Sequence, residues 1–172
     1  LKTLHGSQTV AVEAIECPTM LRNGYGEHNI QGIGDKHIPL IHNVMNTDVV
    51  VGVSDRSSDA LNHLFGSDVG RAYLTRRQHI DPDLVRQFDD IGLSGLANIV
   101  ASIKVARHFE LGPDDVIMTV ATDGASLYAT ERQSYEDRRY PGGFDEVNAG
   151  ETFGHHLEAI SDDHVLELTH VE

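Results

Sequence analysis

The sequence has few of the residues on which several protein classes depend. A single cysteine, Cys17, excludes an internal disulfide, so a reducing compartment, the cytoplasm, is expected. Lysine and arginine together number 13 against 27 aspartates and glutamates, and the formal charge of −14 disfavours nucleic acid and anionic membranes as partners. No apolar run approaches the roughly 20 residues that a membrane-spanning helix needs. A protein without nucleic-acid or membrane partners is therefore expected.

Lysine is especially scarce, which limits every chemistry that requires a reactive amine. The three lysines are Lys2, Lys36 and Lys104. Lys36 follows an aspartate in a glycine-rich segment, where a lysine is more often a solvated charge than a covalent attachment point. The chain also begins with Leu1 rather than methionine, and Leu1 and Leu4 have the spacing of the last turn of a helix. We therefore expect a missing amino-terminal part.

What the sequence does contain is an alternation of apolar strands and amphipathic helices. Strands are predicted at 9–16, 48–54 and 115–122. Ser54 or Asp55 is expected to cap a helix that includes Leu61 and Leu64. Further helices are predicted at 69–76, after Asp81-Pro82, and at about 95–111 with Ser94 as its cap. This order predicts an α/β fold with three αβα layers and a mostly parallel sheet.

Two segments with unusual chemistry lie near the predicted strand ends. Residues 17–46 form a long glycine-rich loop that includes "IQGIGDKHIPLIHN", and "TDGASLY" follows the third predicted strand. Loops of that length in compact domains are usually functional, and ligands of parallel sheets bind beyond the carboxyl ends of the strands. The residues after Thr130 are charged and without apolar period, so residues 131–172 are predicted to be an irregular surface extension of a domain at 1–130.

Three familiar motifs are considered and disfavoured. The Gly-Ile-Gly at 32–34 lacks the third glycine and the helix start of a dinucleotide-binding motif, so a tight turn is favoured. The eleven histidines show neither an HExxH pattern nor thiolate-rich zinc spacing, and no metal site is predicted. Ser94 in "GLSGLAN" resembles a nucleophile elbow, but Leu96 stands where that motif requires glycine.

The segments taken together resemble a known family. Strand "TVAVEA", loop "IQGIGDKHIP", strand "DVVVGVSD", helix "GLSGLANIVASIKVA" and segment "DVIMTVATDGASLY" occur in this order. They resemble the carboxy-terminal portion of fold-type II pyridoxal-phosphate enzymes, the cysteine synthase and tryptophan synthase β-like superfamily. The resemblance covers about residues 9–128. It implies a tryptophan synthase β-like fold, pyridoxal phosphate as cofactor and a homodimer.

The resemblance also implies roles for particular residues. In the family this glycine loop lies against the cofactor ring, which here involves Gly32, Ile33 and Gly34. A hydroxyl or acidic group at the end of the last strand faces the pyridine nitrogen, and Thr122 and Asp123 compete for that position. The family's Schiff-base lysine lies upstream of the first strand, so no catalytic residue is expected in this chain.

The function that the resemblance implies is β-elimination or β-replacement on a small amino acid, with this chain supplying part of a cysteine synthase-like lyase or transferase. The chain alone is expected to be inactive, because the amino-terminal half of the enzyme is missing. Two alternatives remain open. One is a serine or threonine deaminase of the same fold, and the other is a non-catalytic binding or regulatory module without the lysine.

Overall fold

A fully buried strand, β2, forms the centre of a small mixed sheet. The computed structural model describes residues 2–168, in which β2 (Val49–Val53) pairs in parallel with β1 (Val10–Ala14) and antiparallel with β3 (Val165–Glu167). All five residues of β2 are buried, as expected for a continuous β-branched run that is covered on both faces. The predicted α/β fold class is confirmed, although β3 makes the sheet mixed.

Eight helices complete the described part of the chain, together with short 3₁₀ and π turns. In chain order they are α1 (Lys2–His5), α2 (Thr19–Arg22), α3 (Asp55–Gly66), α4 (Asp68–Arg76), α5 (Pro82–Gln87), α6 (Leu93–His108), α7 (Ala129–Arg139) and α8 (Glu146–Phe153). The 3₁₀ turns are Val44–Asn46, Phe88–Asp90 and Ala125–Tyr128, and a π turn, Gly154–Glu158, follows α8. None of the helices in residues 2–168 combines the length and the apolar content that a bilayer span requires.

The first two predicted strands and the helix starts near them are confirmed, with trimmed ends. Ser54 is the cap of α3, where its Oγ accepts the Arg56 amide at 3.2 Å. Asp81 caps α5 and Pro82 occupies its first turn, where the missing amide hydrogen costs nothing. Local capping chemistry was therefore sufficient to locate these helices.

The predicted cap of α6 is wrong. The helix begins at Leu93 with Gly92 as its cap residue, so Ser94 lies inside the first turn. Ser94 makes no capping bond because its hydroxyl pairs with a distant threonine instead. The helix otherwise follows its apolar pattern, with Leu96, Val100 and Ala101 buried against α3 and the sheet.

The third predicted strand is also wrong. Residues 115–122 have no regular secondary structure and pair with no strand among the described residues, and Val116 and Met118 are 84% and 92% exposed. Two residues of α6 bond to the segment: Asn98 Nδ2 donates to Val120 O at 3.0 Å, and Ser94 Oγ lies 2.8 Å from Thr122 Oγ1. A β-branched apolar run becomes a strand only beside a partner edge, and residues 2–168 supply none there.

Residues 131–168 are largely helical and packed, so the prediction of an irregular surface arm is wrong for them, and residues 169–172 lie outside the described part of the chain. They include most of α7, together with α8, the π turn and β3, and Phe144 and Ala149 belong to the buried core. Only a few aromatic and small residues make this packing, and they are spaced irregularly among many charged residues, so the sequence shows no apolar period here. A boundary near residue 130 between two units remains a prediction.

Candidate functional site

The start of α6 fixes the position of the segment that contains Thr122 and Asp123. The Gly92 amide donates to the Asp123 carbonyl at 2.8 Å, one residue before the helix begins. A Cβ at Gly92 would overlap Asp123 Oδ1 and would lie 2.8 Å from the Tyr128 ring. A side chain at this position would therefore have to displace the Asp123 carboxylate and the Tyr128 ring.

Two hydroxyl groups meet in front of this helix start. Ser94 Oγ lies 2.8 Å from Thr122 Oγ1, and Ser94 itself is only 2% exposed. Gly32 approaches the same serine, since a Cβ built on Gly32 would be 3.7 Å from Ser94 Oγ. Gly32 has φ of +88°, a conformation that side-chain-bearing residues rarely adopt. The fold thus brings together the glycine loop, the start of α6 and the 122–123 turn.

The carboxylate of Asp123 is held from two sides. Its Oδ1 accepts the Thr122 hydroxyl at 3.3 Å, and its Oδ2 accepts the phenolic hydrogen of Tyr128. Burial, with the hydrogen bond to Asp123 as a second cause, raises the pKa of Tyr128 to about 12. Tyr128 therefore stays protonated at neutral pH and serves as a permanent donor to Asp123. We call Ser94, Thr122, Asp123 and Tyr128 the hydroxyl cluster.

The number of hydroxyl hydrogens determines which groups of the hydroxyl cluster donate and which accept. Thr122 has one hydroxyl hydrogen, and in the observed geometry it points to Asp123. The contact between Ser94 and Thr122 must then use the hydrogen of Ser94, which makes Thr122 the acceptor there. A ligand atom that accepts from Thr122 would have to replace Asp123 as its partner. Thr122 is exposed, whereas Asp123 is partly buried.

The glycine loop is fixed at both ends by side chains outside it. Asp55, at the start of α3, accepts the amides of Asn29 and Ile30 at 2.5 and 3.2 Å. Burial raises the pKa of Asp55, and these two amide bonds counteract the rise. Farther along, Thr19 donates to the Asp35 carbonyl at 2.5 Å. The loop that approaches Ser94 is therefore held in place by defined bonds.

The predicted site residues occupy different surroundings in this loop. Gly32 faces Ser94, Ile33 packs against the apolar core, and Gly34 lies against the His28 ring. The structure thus brings Gly32 together with Thr122 and Asp123, and it places Ile33 and Gly34 to the side of that meeting point. Their assignment to a cofactor stays a prediction.

The lysines and histidines do not contribute to this cluster. Lys2 pairs with Asp48 at 2.5 Å, and Lys104 is buried and pairs with Asp163 at 2.7 Å. Lys36 is exposed in the glycine loop. Within residues 2–168, no group of three or more histidine, cysteine, aspartate and glutamate side chains is arranged to hold a metal ion.

Sequence reasoning missed three residues of this site. Ser94 was interpreted as a helix cap, and neither Gly92 nor Tyr128 was assigned a role. Tyr128 could have been found, because it closes the "TDGASLY" segment four residues after Gly124. The contact between Ser94 and Thr122 joins positions 28 residues apart, and no local pattern encodes it.

Comparisons with known proteins give the fold and the relatives. No established family profile matches the chain. The chain is 32% identical over 119 residues to cysteine synthase B of Campylobacter jejuni, an alignment that covers 69% of this chain and 32% of that protein. The structure is similar to a hydrogen sulfide-producing enzyme of Fusobacterium nucleatum, with a TM-score of 0.54, 21% identity, and 97% of this chain and 41% of that one covered.

A variant of a hydrogen sulfide-producing enzyme, complexed with an α-aminoacrylate intermediate, gives a TM-score of 0.55 at 22% identity, over 75% of this chain and 33% of that one. The fold is therefore that of the fold-type II pyridoxal-phosphate enzymes. The chain is therefore similar in sequence to a cysteine synthase and in fold to hydrogen sulfide-producing enzymes. The chain spans about a third of the length of the curated relative that it matches.

Proposed function

We propose that this chain is one part of a pyridoxal-phosphate enzyme that carries out β-elimination or β-replacement on a small amino acid. The observation that carries the proposal is the meeting of Gly32, Ser94, Thr122 and Asp123 at the start of α6. It supports a planar ligand lying along the glycine loop with one polar edge at the hydroxyl cluster. The similarity to cysteine synthase B supports the reaction class.

The residues present suit the cofactor in two respects. Gly32 lacks a side chain where the loop approaches Ser94, so a flat ring could lie close to the backbone there. Thr122 and Asp123 offer a hydroxyl and a carboxylate, the two kinds of group that can face a pyridine nitrogen. Pyridoxal phosphate, when bound, supplies an electron sink for the substrate's α-carbon. In this proposal Gly32, Ile33 and Gly34 flank the ring.

The choice between Thr122 and Asp123 determines the charge at the ring nitrogen. A hydroxyl donor leaves that nitrogen without a proton, whereas a neighbouring carboxylate favours the protonated form. In the structure, Tyr128 and Thr122 already donate to the carboxylate of Asp123, and Thr122 is the more exposed of the two candidates. We therefore propose that Thr122 faces the nitrogen and donates its hydroxyl hydrogen to it in place of Asp123, while Asp123 stays held by Tyr128.

The reactive lysine is proposed to come from a part of the enzyme outside this chain. Two of the three lysines here are bound in ion pairs with Asp48 and Asp163, and neither bonds to the hydroxyl cluster. The chain also spans only about a third of its curated relative. The exposed apolar residues of segment 115–122, next to Thr122, would be covered by that other part. A homodimer and a cytoplasmic location complete the proposal.

The test is a spectroscopic titration of the complete enzyme with pyridoxal phosphate. We expect a visible band from the protein-bound cofactor that changes when a β-substituted serine is added, and release of the β-substituent. Ser94→Ala should weaken cofactor binding, and Ser102→Ala, farther along α6 with its hydroxyl on the Asn98 carbonyl, is the matched control. Absence of a cofactor band would overturn the proposal and favour the non-catalytic module.

A further inference from the structure

A cavity lies apart from the hydroxyl cluster. It has a volume of about 350 Å³ and lies among α3, α7, α8 and the π turn. None of Gly32, Ser94, Thr122, Asp123 or Tyr128 lines it. We call it the arginine cavity, because Arg56 and Arg139 both line it.

The two arginines of this cavity have no carboxylate partner, in contrast to three arginines elsewhere in the described residues. Arg71, Arg77 and Arg86 each form an ion pair with an acidic side chain. Arg56 and Arg139 form none within residues 2–168, although acidic residues outnumber basic ones two to one in the sequence. Two guanidinium groups without a carboxylate partner at one cavity, in a chain of charge −14, offer a place for an external anion.

The inner wall of the arginine cavity is polar and built from buried side chains. His156 and Thr152 are only 7% and 5% exposed, and His156 Nδ1 lies 3.1 Å from Ser57 Oγ. Burial first, and then the electrostatic influence of His155, Arg56 and Arg139, lower the pKa of His156 to about 4. His156 is therefore neutral at pH 7 and sits in a positive field that an anion would relieve.

The remaining walls limit the kind of ligand. Tyr135 and Tyr140 provide aromatic surface, and the Arg139 guanidinium lies 5.9 Å from the Tyr140 ring centre. Glu151 also lines the cavity and opposes an anion, so the two arginines leave a net charge of about +1. We propose that the arginine cavity binds a small molecule that carries a carboxylate, sulfate or phosphate group. This goes beyond the proposed cofactor site, because it involves none of its residues.

The test uses the full chain and nuclear magnetic resonance of its histidine side chains. Inorganic phosphate, sulfate and succinate are titrated separately at constant ionic strength maintained with chloride. We expect saturable shifts of the His156 ring signals with at least one probe. The probe that binds identifies the source: phosphate or sulfate alone indicates an inorganic or esterified oxyanion, and succinate indicates a carboxylate ligand.

Three variants and a control make the test specific. Arg56→Gln and Arg139→Gln should each weaken binding by about tenfold, as expected for the loss of one charge-assisted contact. Glu151→Gln should strengthen it, because it removes the opposing charge. Arg86→Gln is the matched control, since Arg86 is exposed, pairs with Asp83 and lies outside the cavity.

All four side chains are exposed, so the fold should survive, and circular dichroism checks this. Absence of a saturable His156 shift with every probe would overturn the proposal. So would equal affinity losses in Arg86→Gln and the two cavity variants.

Discussion

Two stretches that the sequence predicts to be strands, 48–54 and 115–122, differ completely in burial. The strand β2 reads VVVGV and every one of its residues is buried between β1, β3 and the helices. The segment at 115–122 reads DVIMTVAT, yet Val116, Met118 and Val120 are 84%, 92% and 65% exposed. The difference teaches that an apolar run is buried by its neighbours, because a strand needs partner edges and covering helices that its own sequence cannot supply.

The largest expected effect of burial is a loss of folding stability at acidic pH, caused by the buried side chain of His156. The pKa of His156 is about 4 in the folded chain, against 6.5 when it is exposed, because burial and nearby positive charges disfavour its protonated form. The unfolded chain therefore binds more protons between these values, and stability falls as pH drops from about 6.5 to 4. We expect this one group to account for about 3 kcal/mol of the loss.

Urea denaturation at pH 7 and pH 4.5 checks this expectation. His156→Gln should reduce the difference in the free energy of unfolding between the two pH values. His37→Gln, at an exposed position of the glycine loop, is the control. An unchanged pH dependence in His156→Gln would contradict the expectation.

A matched pair of valine substitutions tests the comparison directly. Val51→Ala in β2 removes two methyl groups from a fully buried site and should lower the free energy of unfolding by about 2 kcal/mol. Val116→Ala removes the same atoms from an exposed site and should change it by less than about 0.5 kcal/mol. Urea denaturation of both variants gives the answer, and equal losses would show that segment 115–122 is packed in solution.

Substitution of Thr122, at the end of the exposed segment, should have a smaller effect, which is a loss of cofactor affinity. If Thr122 faces the pyridine nitrogen, Thr122→Val in the complete enzyme should weaken cofactor binding by about 1.5 kcal/mol, or roughly tenfold. Asp123→Asn keeps the size of the side chain and should have the lesser effect. Absorbance titrations of both variants decide between them. The reverse order would assign the nitrogen to Asp123, and two negligible effects would remove this turn from the cofactor site.

The smallest expected change in stability comes from substitution of the exposed Met118, and we expect this change to be larger in the complete enzyme than in this chain alone. Met118→Ser replaces a 92% exposed side chain, so the stability of this chain should change by less than about 0.5 kcal/mol. In the complete enzyme the same change should cost more than 1 kcal/mol, because burial of an apolar side chain stabilises by about 1.5 to 3 kcal/mol. Thermal unfolding of both forms measures this, and equal small effects would show that Met118 stays exposed in the complete enzyme.

The predicted elements succeeded where local chemistry decides the structure. The Ser54 cap, the Asp81-Pro82 start and the apolar runs of β1 and β2 are recognisable within a few residues, and the structure confirms them. The cap of α6 was predicted wrongly, because a serine near a helix start is normally a cap. Here its hydroxyl is engaged by Thr122, 28 residues away.

The candidate site was predictable only in part. The sequence and its family resemblance led to Gly32, Thr122 and Asp123, and the structure brings these three to the same helix start. Their roles toward a cofactor stay predictions. The sequence did not predict the hydrogen bond that Tyr128 donates to Asp123, nor the lack of space for a side chain at Gly92. Both depend on atoms that come close only in the folded chain.

The sequence by itself determined the α/β class, the superfamily resemblance, the acidic charge and the segments with unusual chemistry, because periodicity, capping and motif order are local properties. Tertiary structure alone decided three things. It brought Gly32, Ser94 and Thr122 together, it packed the charged region 131–168 against the core, and it left segment 115–122 uncovered. The physical reason is that burial and hydroxyl pairing depend on which surfaces meet, and residues far apart in the chain supply those surfaces.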